Sequence, residues 1–266
     1  MDERVTVDVT QGVADVRLVR ADKMNALDDA MFSQLIEQGV RLKTLPGLRA
    51  VVLSGTGGAF CAGIDMNALA SFGQNPATGT DDLATRTHGV ANRFQYAVWV
   101  WREIPVPVIA AVHGVAFGGG LQLALAADFR YLAPGTRMAI MEIKWGLVPD
   151  MCGTQLMRHL VREDIVRELT YTGRIFSAEE AIRYGFATRI CSDPRDAALA
   201  TAQEIASLSP DAVRGAKRLL ADADTVDHRT GLVAEALEQQ KLIGSRNQVE
   251  TVLAARDKRK PEFIDP

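Results

Sequence analysis

The chain has 266 residues, of which 47% are hydrophobic and 24% are charged, and its formal net charge is -3. These values are typical of a globular protein with a sizeable core, and the acidic balance gives no general attraction for nucleic acid or anionic lipid. No apolar run reaches the roughly 18 residues of a membrane span, and the N-terminus lacks the apolar region of a secretory signal, so we expect a cytoplasmic protein without nucleic-acid or membrane partners.

The first predicted elements are a β-hairpin and a helix. The runs VTVDVT (5–10) and ADVRLVR (14–20) alternate apolar and polar residues and are separated by Gln-Gly, which predicts two paired strands with one buried face. Residues 27–45 carry apolar side chains at helical spacing, with Asp28 and Asp29 near the start of the helix and Pro-Gly after it.

The middle of the chain predicts α/β architecture. RAVVLSG (49–55) and PVIAAVHG (107–114) are short apolar runs ending in glycine, as in buried strands of a mostly parallel sheet. Between them lies a Gly-rich loop near residues 71–80, followed by a predicted helix over 81–104. After about residue 195 the pattern changes to successive amphipathic helices, so we predict a core over 1–194 and a helical C-terminal region over 195–266.

Two glycine-rich segments follow predicted strands and lead into helices. In SGTGGAFCAGIDMNAL (54–69) the strand ends at Ser54 and a helix is expected near Asp65, which places the Ile64 N–H at a helix start, where unpaired amides attract negative charge. A plain strand-loop-helix connection is the alternative. In AAVHGVAFGGGLQLALAAD (110–128) three glycines open the helix, and neither segment matches a Rossmann or P-loop motif. Two such sites predict a pair of N–H donors that converge on one oxygen.

The segment MEIKWGLVPDMCGT (141–154) carries two carboxylates, Glu142 and Asp150, among apolar residues. A buried carboxylate without partners is costly, so these side chains either have a structural role or do chemistry. Structurally, Asp150 would cap a helix that begins near 153–154, and Glu142 would pair with Arg137 or Lys144.

The cysteines and histidines predict no metal site. Cys61, Cys152 and Cys191 are widely spaced and form no C-x-x-C motif, so free thiols are expected and a disulfide framework is not. The spacing of the histidines at 88, 159 and 228 is not that of metal ligands.

Several motifs in order resemble the crotonase superfamily, the enoyl-CoA hydratase/isomerase family. The motifs are DKMNALDDAM, AFCAGIDM, HGVAFGGGLQLALAADFR, MEIKWGLVPDMCGTQLM, TGRIFSAEEAIRYGFAT and DKRKPEF. The resemblance implies an α/β crotonase (ClpP/crotonase-like) spiral of β-β-α units with a helical C-terminal trimerisation region. It also implies a homotrimer or a homohexamer built as a dimer of trimers.

The resemblance further implies an acyl-CoA thioester as substrate and no separate cofactor, since coenzyme A is part of the substrate. In the family, the amides that match Ile64 and Gly119 bind the thioester carbonyl, and such donors act most strongly when an enolate oxygen develops charge. The residues implied in substrate binding are Lys23, Ala26, Ala62, Ile64, Asp65, Met66, Gly119, Gln122, Lys260 and Phe263.

The reaction depends on the acids. Family hydratases use two glutamates, and this chain has Gln122 at the first position and Glu142 at the second; an amide cannot exchange a proton at neutral pH. Dienoyl-CoA isomerases have a Glu and an Asp at the positions of Glu142 and Asp150, although they carry Asp in place of Gln122. We therefore predict double-bond isomerisation by Glu142 and Asp150. The alternatives are a 2-enoyl-CoA hydratase of the fatty acid β-oxidation type and a non-catalytic homologue that binds acyl-CoA or RNA.

Two further predictions concern the edges of the site. Cations should line the exit for the phosphates of coenzyme A, with Lys23 and the tail around Lys260 as candidates and Phe263 stacking on the adenine; a solvated basic tail is the alternative. A set of aromatic residues in the predicted helix over 81–104 either covers the acyl pocket or packs in the core. That set is Phe94, Tyr96, Trp99 and Trp101.

Overall fold

The computed structural model describes residues 2–71 and 83–266. The strands in these ranges are β1 (Val5–Thr10), β2 (Val13–Leu18), β3 (Ala50–Gly55), β4 (Val108–Val112), β5 (Val115–Phe117), β6 (Phe129–Leu132), β7 (Arg137–Ala139), β8 (Phe176–Ser177) and β9 (Arg189–Ile190). The helices are α1 (Asp29–Lys43), α2 (Met66–Ser71), α3 (Arg93–Arg102), α4 (Gly119–Leu125), α5 (Gly153–Met157), α6 (Glu163–Thr172), α7 (Ala178–Tyr184), α8 (Pro194–Ala206), α9 (Pro210–Asp222), α10 (His228–Leu242) and α11 (Arg246–Asp257).

The larger sheet has the strand order β1-β2-β3-β4-β6-β9. The hairpin β1-β2 is antiparallel and turns through Gln11 and Gly12, which both have positive φ, and the other neighbouring pairs of this sheet are parallel. The register brings Val16, Leu53 and Ala110 side by side across three strands. The predicted hairpin and buried parallel strands are therefore confirmed.

A second, three-stranded sheet has the order β5-β7-β8, and an isolated parallel bridge joins Cys61 to Ala116 of β5. Successive segments of the chain thus give a strand to the large sheet and then a short strand to the small one, as in β4-β5-α4 and β6-β7. This succession is the expected β-β-α unit, and it stacks the residues after the short strands at one edge of the molecule.

Both faces of the large sheet are buried. On one face, side chains such as Leu53 and Ala110 join the main core with α1, α3 and α4. On the other face, Val52 and Ile109 pack against Ala198 of α8. Because α8 covers the sheet, the predicted boundary at residue 194 separates this helix from the sheet on which it packs. Within the described residues, the helices after α8 contribute no side chain to the two core clusters.

The helix predicted over 81–104 is shorter in the structure. Residues 83–91 form turns, with Gly89 at a φ of 63°, and α3 begins at Arg93. Asn92 accepts a hydrogen bond from the backbone N–H of Gln95, and the Gln95 side chain accepts one from the backbone N–H of Asn92. This capping box fixes the start of α3. The helical spacing of the apolar residues was real, but the boundary prediction was wrong.

The C-terminal helices lie where the amphipathic pattern predicts them. They leave large apolar side chains exposed, and α10 buries none of its residues. The exposed apolar side chains of α9 and α10 include Leu220, Leu232, Val233 and Leu237. The C-terminal tail after α11 folds back onto the protein. Asn247 of α11 exchanges hydrogen bonds with the backbone of Ile264, and Arg49 pairs with Asp265.

Candidate active site

Two backbone segments run side by side toward the candidate site. The Cys61 N–H donates to Val115 O at 3.1 Å, and the Phe117 N–H donates to Cys61 O at 3.1 Å. Ile64 lies three residues after Cys61, and Gly119 lies three residues after Ala116, the residue bridged to Cys61. Because the two segments run parallel, equal spacing brings Ile64 and Gly119 to the same end of the pair. A Cβ added at Gly63 would lie 3.7 Å from Gly119 N, which shows how closely the segments approach.

The amides of Ile64 and Gly119 are free to bind a ligand. The Leu27 N–H donates to the Gly63 carbonyl, and the Leu27 carbonyl accepts from the Asp65 N–H. The N–H of the intervening Ile64 therefore points away from Leu27. Gly119 is the first residue of α4, so its N–H has no acceptor within the helix. Within residues 2–71 and 83–266, neither amide donates to another backbone group. Both residues line a cavity of about 500 Å³.

An ion-pair network that the sequence did not reveal holds the Ile64 segment. Arg20 donates to Asp65 at 2.7 Å and to the carbonyl of Ala26 at 3.0 Å. Burial alone would raise the pKa of Asp65, but hydrogen bonds from the Asn67 N–H and from Arg20 outweigh it and hold the pKa below its usual value. Arg20 thereby ties the segment after Ile64 to the loop before α1.

Asn25 is a second anchor that sequence reasoning missed. It is fully buried, and its side-chain amide donates to the carbonyls of Thr56 and Ala59. Its φ of 55° is the left-handed conformation that Asn tolerates better than most residues. The only sequence signal was an Asn beside the DKM segment, and its partners lie more than 30 residues away.

Glu142 is a buried carboxylate at the amide pair. It begins a 3₁₀ turn over Glu142–Trp145, is 9% exposed, and lies against Gly118, where an added Cβ would be 3.3 Å from Glu142 Oε1. Burial is the main cause that raises the pKa of Glu142, and the charge of Asp150 adds to the rise. Its Oε2 has no hydrogen-bond partner in the described part of the chain.

Asp150 lines the same cavity from the following loop. The residue is exposed by surface area, yet burial of its carboxyl group raises its pKa. These observations agree for a group inside an open cavity, because solvent reaches it while protein surrounds it on most sides. The structural alternatives for the two acids are not found: Cys152, not Asp150, precedes α5, and Glu142 pairs with neither Arg137 nor Lys144 within the described residues.

The predicted site residues separate into two groups. Those that line the cavity are Lys23, Ala26, Ala62, Ile64, Asp65, Met66, Gly119, Glu142 and Asp150. Gln122 is buried behind the wall, where it contacts Glu142 and the loop after Asp150. Lys260 and Phe263 lie outside the cavity. They belong to the C-terminal tail, which pairs with Arg49 just before the start of β3, whereas the cavity is lined by residues that follow the end of β3.

The aromatic residues of α3 belong to the core. Trp101 is fully buried, and Phe94, Tyr96 and Trp99 pack partly buried against the main core. None of them lines the cavity, so the interpretation that they cover the acyl pocket is not supported. The loop near 71–80, where we expected acyl-chain specificity, is largely outside the described residues.

The chemistry of the site is that of two N–H donors and two carboxyl groups with raised pKa values. Paired N–H donors stabilise an oxyanion, and a carboxylate whose pKa is raised is a stronger base than an exposed one. In the described ranges, no cluster of His, Cys, Asp and Glu is arranged to bind a metal ion, and no helix is both long and apolar enough to cross a membrane. The cysteines are free, as predicted.

Comparisons with known proteins agree with this arrangement. The family model described as enoyl-CoA hydratase/isomerase matches residues 8–266. The chain is 33% identical over 263 residues to the mitochondrial Delta(3,5)-Delta(2,4)-dienoyl-CoA isomerase of Mus musculus, covering 95% of this chain and 79% of that protein. It is 31% identical over 261 residues to the mitochondrial enoyl-CoA hydratase domain-containing protein 2 of Homo sapiens, covering 96% and 86%. The crystal structure of an enoyl-CoA hydratase from Bacillus anthracis superposes with a TM-score of 0.89 at 30% identity, covering 98% and 99% of the two chains.

Proposed function

The chain belongs to the enoyl-CoA hydratase/isomerase family, and from that membership we propose that it moves a double bond along the acyl group of an enoyl- or dienoyl-CoA thioester. One observation carries the choice of reaction: Glu142 and Asp150 line the same cavity as the amides of Ile64 and Gly119. Family hydratases use a second glutamate at the position of Gln122, and this chain has no carboxylate there.

In the proposed mechanism the thioester carbonyl accepts hydrogen bonds from the Ile64 and Gly119 amides. The Glu142 carboxylate then removes a proton from the carbon next to the carbonyl, because its contact with Gly118 places it beside the amide pair. The electron pair of the broken C–H bond moves into the conjugated system, and the negative charge reaches the carbonyl oxygen. Asp150, protonated at the start, returns a proton to a carbon farther along the chain. No atom is gained or lost overall.

The raised pKa values suit these roles. Burial raises the pKa of both carboxyl groups, which makes the Glu142 carboxylate a stronger base than an exposed one and makes protonation of Asp150 easier than it would be at the surface. Exchange of one proton between the two acids, directly or through water, returns the enzyme to its starting state.

The test uses 3-hexenoyl-CoA as substrate. Migration of its double bond into conjugation with the thioester increases ultraviolet absorbance, while the mass stays constant. We expect the wild-type protein to produce this change and Asp150→Asn to lose it. Full activity of Asp150→Asn would reject the role of Asp150. The exposed Asp164→Asn, whose side chain pairs with Arg162 at 2.7 Å, is the matched control.

The second candidate function is the hydration of a 2-enoyl-CoA. It is favoured by Glu142 and by similarity to the enoyl-CoA hydratase from Bacillus anthracis. Mass spectrometry distinguishes the two reactions, since hydration adds the mass of one water to crotonyl-CoA and isomerisation adds none. A product heavier by one water as the main species would favour the hydratase.

We also propose a homotrimer or a homohexamer. The support is the set of exposed large apolar side chains on α9 and α10, because exposed apolar surface is typical of protein–protein interfaces. In such an assembly the tail with Lys260 and Phe263 would bind coenzyme A held by a neighbouring subunit, together with Lys23 of that subunit. Light scattering after size-exclusion chromatography measures the mass, and Leu232→Glu should reduce it to that of the monomer. The cytoplasmic location stays a prediction.

A further inference from the structure

Gln122 contacts both acid-bearing segments at once. Its side chain, 2% exposed, projects from α4, and its Nε2 lies 2.6 Å from Glu142 Oε1. Its Oε1 accepts hydrogen bonds from the backbone N–H groups of Met151 at 2.9 Å and Gly153 at 2.8 Å. A Cβ added at Gly153 would lie 2.6 Å from that oxygen, so this close packing requires a glycine.

The orientation of the carboxamide follows from chemistry. Backbone N–H groups only donate hydrogen bonds, so the atom that faces Met151 and Gly153 is the oxygen. The nitrogen therefore faces Glu142, where it can only donate. Two accepted hydrogen bonds use both lone pairs of the oxygen, which leaves it no capacity for a substrate.

This contact distinguishes the two oxygens of Glu142. Since Gln122 donates to Oε1, that oxygen must be an acceptor in both protonation states of the carboxyl group. The carbonyl oxygen of a neutral carboxyl group is a better acceptor than its hydroxyl oxygen, so the neutral form is more stable with its proton on Oε2, the atom without a partner within the described residues. This difference favours Oε2 for the uptake and release of protons.

The same carboxamide holds the loop that carries Asp150. It anchors the residues on either side of Cys152, whose φ of 70° is unusual for a residue other than glycine. Met151 in turn packs on the amide pair, because a Cβ added at Gly119 would lie 2.9 Å from its sulfur. One side chain thereby connects Glu142, the loop of Asp150 and the wall of the amide site.

We propose that Gln122 is a positioning residue that fixes Glu142 Oε2 as the proton-transferring atom and sets the distance between Glu142 and Asp150. The proposal rests on the proposed acid-base function, and it assigns Gln122 no contact with the substrate. This differs from the substrate-binding role that the family resemblance implied.

Two variants test the proposal. Gln122→Glu keeps the shape and the acceptor for Met151 and Gly153, but it places a second carboxyl oxygen against Glu142 Oε1. The two carboxyl groups must then share a proton, so the rise of kcat/KM with pH that reports ionisation of Glu142 should move up by about one unit or more. Gln122→Met removes all three hydrogen bonds, and we expect kcat to fall about tenfold or more with KM within about twofold.

The controls are Gln155→Glu and Gln155→Met, because Gln155 is exposed and its side chain, among the hydrogen bonds of the described chain, bonds only to the side chain of the adjacent Thr154. They should match the wild type. A Gln122→Glu profile that coincides with that of the wild type would overturn the proposal, as would an unchanged kcat in Gln122→Met. If Gln122→Met fails to fold, the nearly isosteric Gln122→Glu still decides.

Hydrogen–deuterium exchange separates failure of this proposal from failure of the proposed function. Exchange at the amides of Met151 and Gly153 requires no substrate, and it should be at least about fivefold faster in Gln122→Met than in the wild type. If the wild type isomerises no acyl-CoA but the exchange rises, the function is wrong and the coupling stands. If the exchange is unchanged, the coupling is wrong whatever the reaction.

Discussion

The amide pair and the acid pair share one cavity but are held in different ways. The amides of Ile64 and Gly119 are fixed by backbone pairing between Cys61 and Ala116. Glu142 and the loop of Asp150 are joined through the side chain of Gln122. Backbone pairing tolerates a change of side chain wherever there is space for one, whereas a side-chain contact is lost by one substitution. In the proposed mechanism the fold therefore determines how the thioester carbonyl is bound, and a few side chains determine which reaction follows.

The largest expected effect comes from the acid side of this comparison. Glu142→Gln keeps the size of the side chain and removes the base, so kcat for isomerisation of 3-hexenoyl-CoA should fall about 1000-fold. Steady-state kinetics followed by ultraviolet absorbance measures the loss. Glu168→Gln is the control, because Glu168 is largely exposed and pairs with Arg174. A fall of less than about tenfold would mean that another group is the base.

The next effect tests the amide side through its backbone. Gly63 has a φ of +91°, and an added Cβ would lie 2.7 Å from the carbonyl oxygen of Phe117. Gly63→Ala should push the two segments apart and lower kcat about 100-fold. Gly58→Ala is the control in the same loop, because its Cβ would have no heavy atom within 4 Å. Equal kcat values for the two variants would show that the backbone pairing does not set the donor geometry.

A smaller effect is expected from the network behind the Ile64 amide. Arg20→Met removes the hydrogen bonds to Asp65 and to the Ala26 carbonyl, and slight misplacement of the donor should lower kcat/KM about tenfold. Arg17→Met breaks a comparable pair with Asp15 on β2 and should leave kcat/KM unchanged. Equal losses in both variants would indicate general destabilisation, and thermal melting of both proteins would reveal it.

The smallest effect concerns stability. Because burial raises the pKa of Glu142, its folded form binds a proton more tightly than the unfolded chain does. The stabilisation from that proton is fully present below the unfolded pKa and is lost as pH rises through the folded pKa. Glu142→Gln carries no such charge, so it should melt about 2 °C above the wild type at pH 8 and show no gain at pH 4. Scanning calorimetry at both pH values checks this, and a variant that melts lower at pH 8 would contradict it.

Local patterns predicted much of the fold. The alternation in residues 5–10 and 14–20 and the helical spacing after residue 195 gave elements of the right kind, because each depends on which side chains face a core. The start of α3 was misplaced, since it depends on the capping box of Asn92 and Gln95 and not on apolar spacing. The predicted boundary at residue 194 separated α8 from the sheet, because the amphipathic pattern of a helix does not show which surface its apolar face packs on.

The candidate site was predictable where it depends on backbone motifs and less so where it depends on contacts in space. Ile64 and Gly119 follow glycine-rich turns, and Glu142 and Asp150 are acids in an apolar segment. Arg20 and Asn25 gave no comparable signal, because their partners lie tens of residues away. The partners of Gln122 likewise come from distant segments, so its identity was noticed but its contacts could not be inferred.

The equal spacing of Ile64 and Gly119 from the bridged residues Cys61 and Ala116 has a consequence for how the chain can vary. A donor that is a main-chain amide uses no side-chain atom of its own residue, but the number of residues between bridge and donor is not free. Inserting or deleting one residue in either three-residue spacer would rotate one N–H away from the other. Length therefore constrains these two spacers in addition to the lack of space for a side chain at Gly63, and an alignment gap inside either one would mark a protein in which the two amides no longer lie together.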